Sequence, residues 1–182
     1  DGTLRVPTID ANGTAQPLGQ AASAITLGTA TTAGTLEFTG TIAADLARPI
    51  TVGGVGGGVV RNSSGALLTL SGAQSTPGRP LVYTGGDFLV SGQITGATAN
   101  STLVVESANV TLTNAANNYN GLTWVRGNSV LTNGVTNGVS TLSTLTLGES
   151  TTNTAGTYNL NGFDSTILGL NSAGTGSAIV TN

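Results

Sequence analysis

The side chains able to move protons or hold a cation are few. The chain carries eight carboxylates, Asp1, Asp10, Glu37, Asp45, Asp87, Glu106, Glu149 and Asp164, and five arginines, with no lysine, histidine, cysteine or methionine. General acid–base work or calcium binding needs acids brought together, so that one perturbs the other or both ligate one ion. No two of these carboxylates fall within four residues of one another. The nearest acid–base pair is Asp45 with Arg48, which reads as a surface ion pair of little energetic weight. Serine nucleophiles lack the usual imidazole base, and thiol or imidazole metal sites cannot form. The glycine-rich run from Val52 to Val59 lacks the Asp of a calcium loop and the Lys and helix of a phosphate loop. The sequence therefore predicts no catalytic residues, no cofactor-binding residues, no metal site and no enzyme activity.

Partners are narrowed in the same way. Arg5, Arg48, Arg61, Arg79 and Arg126 are scattered singly along a chain of net charge −3 with 7% charged residues. Nucleic acid demands clustered cations that release counterions, so none is expected here. No apolar stretch approaches the ~18–20 residues of a membrane-spanning helix, and membrane insertion is not expected. The chain does not open on a charged segment followed by an apolar run, so any signal peptide is expected to have been removed or to lie upstream. With 38% hydrophobic residues recurring at regular intervals, the chain is ordered rather than disordered.

The elements that order it alternate with period two. Gly2-Thr-Leu-Arg-Val6, Gly34-Thr-Leu-Glu-Phe38, Ala66-Leu-Leu-Thr-Leu70, Val110-Thr-Leu-Thr113 and Thr144-Leu-Thr-Leu147 each read as a short strand with one buried face. Gly, Asn or Ser punctuates them at Gly28, Gly40, Gly53-Gly54, Ser71-Gly72, Asn114, Asn133-Gly134, Gly148 and Asn161-Gly162, residue types that tolerate sharp corners. Three features favour a solenoid over a sandwich or barrel. The strands resemble one another, Asn and Thr suit stacking between coils, and 4% aromatic residues are few for a thick sandwich centre. Repeats of ~20–25 residues make roughly eight coils, a rod of about 40 Å at ~4.8 Å per strand. The run Val52–Val59 is read as a tight corner inside one continuous domain over residues 1–182, which is either whole or a piece of a longer chain.

Two segments carry more than composition. Val110-Thr-Leu-Thr-Asn-Ala-Ala-Asn-Asn-Tyr-Asn-Gly-Leu-Thr-Trp-Val125 resembles the passenger-associated repeat of autotransporter-type proteins, with Asn117, Tyr119, Gly121, Thr123 and Val125 on its pattern. Asn118 stands where Thr is usual, Ala116 is one extra residue, and Asn128 stands for Gly, a mild change because Asn also adopts the left-handed conformation. Gly156-Thr-Tyr-Asn-Leu-Asn-Gly-Phe-Asp-Ser-Thr-Ile-Leu-Gly-Leu170 resembles a second coil of the same secreted proteins. The resemblance implies a right-handed parallel β-helix, extracellular or on a bacterial cell surface. Its coil interior is expected to be aliphatic, with Tyr119 and Trp124 on a corner or on the surface.

The function that follows is an extracellular structural or adhesive β-solenoid that stacks end to end as a fibre, sheath or surface rod. The bare strands Gly2–Val6 and Ala178–Thr181 at its ends are expected to meet copies of the chain or neighbouring repeats. The alternatives are a strand-exchanging pilus-like subunit and a carbohydrate-binding β-helix that uses Tyr83, Tyr119 or Trp124 on surface glycans. Thr111/Thr113 and Thr144/Thr146 suggest an ice-matching face only if repeated coil after coil, and the sequence does not repeat them.

Overall fold

Alternation with period two puts one side of each strand into a core and the other into water, and three such walls close a coil. The computed structural model describes residues 2–182. The first coil holds β1 (Gly2–Val6) and β2 (Ile25–Leu27), and the second β3 (Gly34–Phe38), β4 (Ala44–Asp45) and β5 (Ile50–Val52). The third holds β6 (Gly58–Asn62), β7 (Leu68–Leu70) and β8 (Gln74–Ser75), and the fourth β9 (Leu81–Gly85), β10 (Asp87–Val90) and β11 (Ile94–Thr95). Later coils have two strands each: β12 (Leu103–Glu106) and β13 (Asn109–Leu112), β14 (Leu122–Arg126) and β15 (Ser129–Asn133), β16 (Thr144–Leu147) and β17 (Gly156–Asn159), and β18 (Gly169–Ser172) and β19 (Ala178–Thr181).

Every pairing is parallel and joins one coil to the next. An eight-stranded wall runs β1-β3-β6-β9-β12-β14-β16-β18, a seven-stranded wall runs β4-β7-β10-β13-β15-β17-β19, and a four-stranded wall runs β2-β5-β8-β11. The chain is all-β, a parallel β-solenoid of about 7 turns, close to the eight coils expected. Seven steps of ~4.8 Å make it about 34 Å long. Coil length varies. Gly2 pairs with Gly34, thirty-two residues on, because residues 7–24 form a long excursion in place of a strand. Leu103 pairs with Thr123, only twenty on.

The core is a set of stacked inward columns. In the long wall one column reads Leu36, Val60, Tyr83, Val105, Val125, Leu147, each at most 2% exposed. The interior is not purely aliphatic. Phe38, Tyr83, Phe88, Tyr119 and Tyr158 are all buried, and the Tyr83 and Phe88 rings lie 5.4 Å apart. Tyr119, expected on a corner or the surface, is fully buried because its hydroxyl finds a partner inside. It shares a 2.7 Å hydrogen bond with the Thr123 hydroxyl, which in turn meets Ser143 at 2.7 Å. Desolvation pushes the Tyr119 phenol up to about 12 and raises those of Tyr83 and Tyr158 as well.

The corners explain the Asn and Gly residues. Asn128 has φ +61° and Asn161 φ +52°, so Asn128 does adopt the left-handed conformation that its repeat position requires. Gly92 answers a different demand: a Cβ there would lie 2.0 Å from the Gly72 carbonyl oxygen of the coil before. The four-stranded wall stops after β11 because Asn117 takes over a rung. Its Oδ1 accepts the Ile94 amide at 2.7 Å, and its Nδ2 donates to the Gly138 carbonyl of the following coil at 2.7 Å. The bonds that follow it are backbone ones: the Asn118 and Asn120 amides donate to the Ile94 and Gly96 carbonyls.

Candidate functional site

The outer face of the long wall gathers the charges. Register places Arg5, Glu37, Arg61, Thr84, Glu106 and Arg126 in one column, one residue per coil. Arg5 Nε meets Glu37 at 2.7 Å, and Arg126 bridges two coils, reaching Glu106 at 3.2 Å and Glu149 at 2.8 Å. The Ser63 hydroxyl at 2.6 Å, followed by the Arg5 guanidinium, holds the Glu37 carboxyl below its ordinary range. Residues dispersed in sequence are thus neighbours in space, since the relevant period is one coil. Aligning the strands GTLRV, GTLEF, GVVRN, LVYTG, LVVE and LTWVR exposes the column in sequence, a signal that strand-by-strand reading missed.

The remaining carboxylates are placed apart. Asp45 and Arg48, expected to pair, do not touch. Asp45 accepts the Ser71 hydroxyl at 2.6 Å and the Ser71 amide at 3.2 Å, while Arg48, only 8% exposed, turns to the excursion. There its guanidinium donates to the Ser23 carbonyl at 3.0 Å and to that of Leu18. These main-chain oxygens supply the directed acceptors that a buried guanidinium needs, and Asp45 is satisfied by Ser71 instead. Asp87 accepts the Asn109 amide at 2.9 Å on the second wall. Asp1 lies outside the described residues.

Next to the charge column runs a more apolar one: Val59, Val82, Val104 and Trp124. Trp124 is half-buried on this outer face. Its indole Nε1 donates to the Gly148 carbonyl at 2.7 Å, and the Arg126 guanidinium stacks 4.2 Å from its ring centroid, a contact worth about 0.5–1 kcal/mol. Beside it lies a groove of about 440 Å³ whose floor includes Pro80, Val104, Leu122 and Trp124. Arg79, Asn100 and Thr102 supply its polar groups.

Of the aromatic residues considered for ligand contact, Tyr83 and Tyr119 are inside the core and Trp124 alone reaches a surface groove. The threonine pairs do not build a continuous threonine face: Thr111 has Thr132 on one side but Leu89 on the other, and Thr146 lies between Trp124 and Asn171. What the fold defines is a parallel β-solenoid with a salt-bridged outer wall. No protein-family model, no curated protein and no solved structure matches the chain.

Proposed function

We propose that the chain is a structural or adhesive rod segment working outside the cell, not an enzyme. The observation that carries this reading is how its acids are used. Glu37, Asp45, Asp87, Glu106 and Glu149 each engage a side chain or amide that ties one part of the coil stack to another. Groups committed to such ties favour cohesion over proton transfer. The resemblance of Asn117–Val125 to repeats of secreted proteins supports an extracellular or cell-surface place.

The C-terminal coil adds a second support. Leu170 continues the column of Thr123 and Leu145; Leu145 is fully buried by the coil that follows it, whereas Leu170 is 55% exposed. Leu168, Ile179 and Val180 are exposed beside it. In the assembled rod this face is covered by another coil, from a second copy or from further repeats. Light scattering and negative-stain electron microscopy test the self-stacking form. Growth of rods with concentration, abolished by Leu170→Glu with Ile179→Glu, is the expected result. A wild-type segment that stays monomeric at high concentration overturns self-stacking.

A further inference from the structure

The groove beside Trp124 is built from corners and strands of successive coils. Val55 stands at its upper end, Arg79 and Pro80 come one coil on, Asn100 and Thr102 the next, and Leu122 with Trp124 the last. Three coil steps make it about 14 Å long, parallel to the rod axis. It therefore suits a linear polymer laid along the rod.

The lining narrows the polymer. Strands β9, β12 and β14 are hydrogen-bonded on both sides, so the groove floor offers no free strand edge onto which a peptide could add. Recognition has to come from side chains. An apolar floor that includes an indole accepts the C–H faces of sugar rings, and the Asn100 amide and Thr102 hydroxyl provide hydrogen bonds for ring hydroxyls. The Arg79 guanidinium is the only charged group lining the groove. Among the described residues it has no carboxylate or other hydrogen-bond partner, whereas Glu106 and Glu149 close by are both engaged by Arg126. Arg79 as a residue is half-buried, and its unpaired guanidinium is free to pair with an anion.

We infer that this groove is the rod's adhesive site and binds an acidic polysaccharide, whose carboxylate or sulfate group pairs with Arg79. The inference rests on the adhesive reading above and names its ligand class. Trp124 is the chain's only tryptophan, so its fluorescence reports on the groove. The wild-type chain is titrated with alginate, dextran sulfate, neutral dextran and polyglutamate. Arg79→Gln and Arg61→Gln are titrated in parallel; Arg61 lies on the same wall, outside the groove and without a hydrogen bond, so its removal makes the same change in net charge.

The expected result is a saturable emission change with alginate, dextran sulfate or both. Alginate alone identifies a carboxylate, and dextran sulfate alone a sulfate ester. Arg79→Gln weakens binding about tenfold or more, and Arg61→Gln leaves it unchanged. Four outcomes overturn the proposal: no emission change with either anionic glycan, dextran binding as tightly as the anionic chains, equal losses from the two arginine variants, or polyglutamate binding as tightly as alginate. Light scattering on the same samples reports rod growth separately. A failed titration with normal growth removes the glycan site and leaves the structural rod in place.

Discussion

Asn117 offers the sharpest test of how the coils are joined. Its side chain closes one hydrogen bond to the coil before and one to the coil after, each at 2.7 Å. Ile94 is fully buried and Asn117 itself is 5% exposed, so water cannot readily replace either bond. Asn117→Leu keeps nearly the same volume and removes both partners. Each orphaned buried group costs about 1–3 kcal/mol, and the two together cost about 2–6 kcal/mol. Set against a total stability of about 5–15 kcal/mol for a domain, that is a large fraction. Urea unfolding followed by circular dichroism measures the loss. Amide hydrogen exchange locates it: the Ile94 amide loses protection while amides in the first coils keep theirs, because a solenoid couples mainly nearest neighbours. A loss below about 0.5 kcal/mol, with the Ile94 amide still protected, refutes the bridging role.

Further perturbations follow from the core and the outer wall. The buried tyrosines hold their protons more tightly in the folded state, Tyr119 up to about 12, than in the unfolded chain, where phenols titrate near ~10. Stability is therefore unaffected below pH ~10 and falls above it as the unfolded phenols ionise, by about 1.4 kcal/mol per pH unit for each tyrosine until its folded pKa is reached. Denaturation midpoints between neutral and alkaline pH check this, and tyrosinate absorbance rising near pH ~10 in a still-folded protein contradicts it. Gly92→Ala drives a methyl into the Gly72 carbonyl and is expected to cost about 1–3 kcal/mol, read as a lower urea midpoint. Arg126→Gln cuts the ties to Glu106 and Glu149 and uncovers the indole; a loss of about 0.5–2 kcal/mol with altered Trp124 emission is the expected outcome. Deleting residues 1–8 shortens the rod by one strand of the long wall without abolishing association, whereas complete loss of association would favour strand exchange.

The strand alternation in segments such as Leu68–Leu70 and Thr144–Leu147 was legible because a half-buried wall imposes it locally. The corner role of Asn128 and Asn161 was legible for the same reason: a left-handed residue is a property of its own backbone. Tyr119 was not, because its burial depends on hydroxyls from Thr123 and Ser143 that only coil stacking supplies. The pairing of Asp45 with Arg48 failed for a related cause. Proximity along the chain places both near one corner, but each side chain is claimed by a group from another coil. The charge column and the groove needed the register itself, which shifts by twenty to thirty-two residues from coil to coil and so escapes any short sequence window.

The inter-coil hydrogen bonds run along the rod axis, and this orientation decides how the molecule answers a pull. Axial tension loads one coil interface at a time, like a zipper opened from its end, so rupture is sequential. Leu81 and Leu103 are paired neighbours separated by twenty-two residues of chain. Releasing that one coil gives up a ~4.8 Å rung and frees about 75 Å of extended backbone. A tether made of such coils lengthens in steps many times its own rise and absorbs mechanical work at each one, while the coils beyond the opening front stay folded.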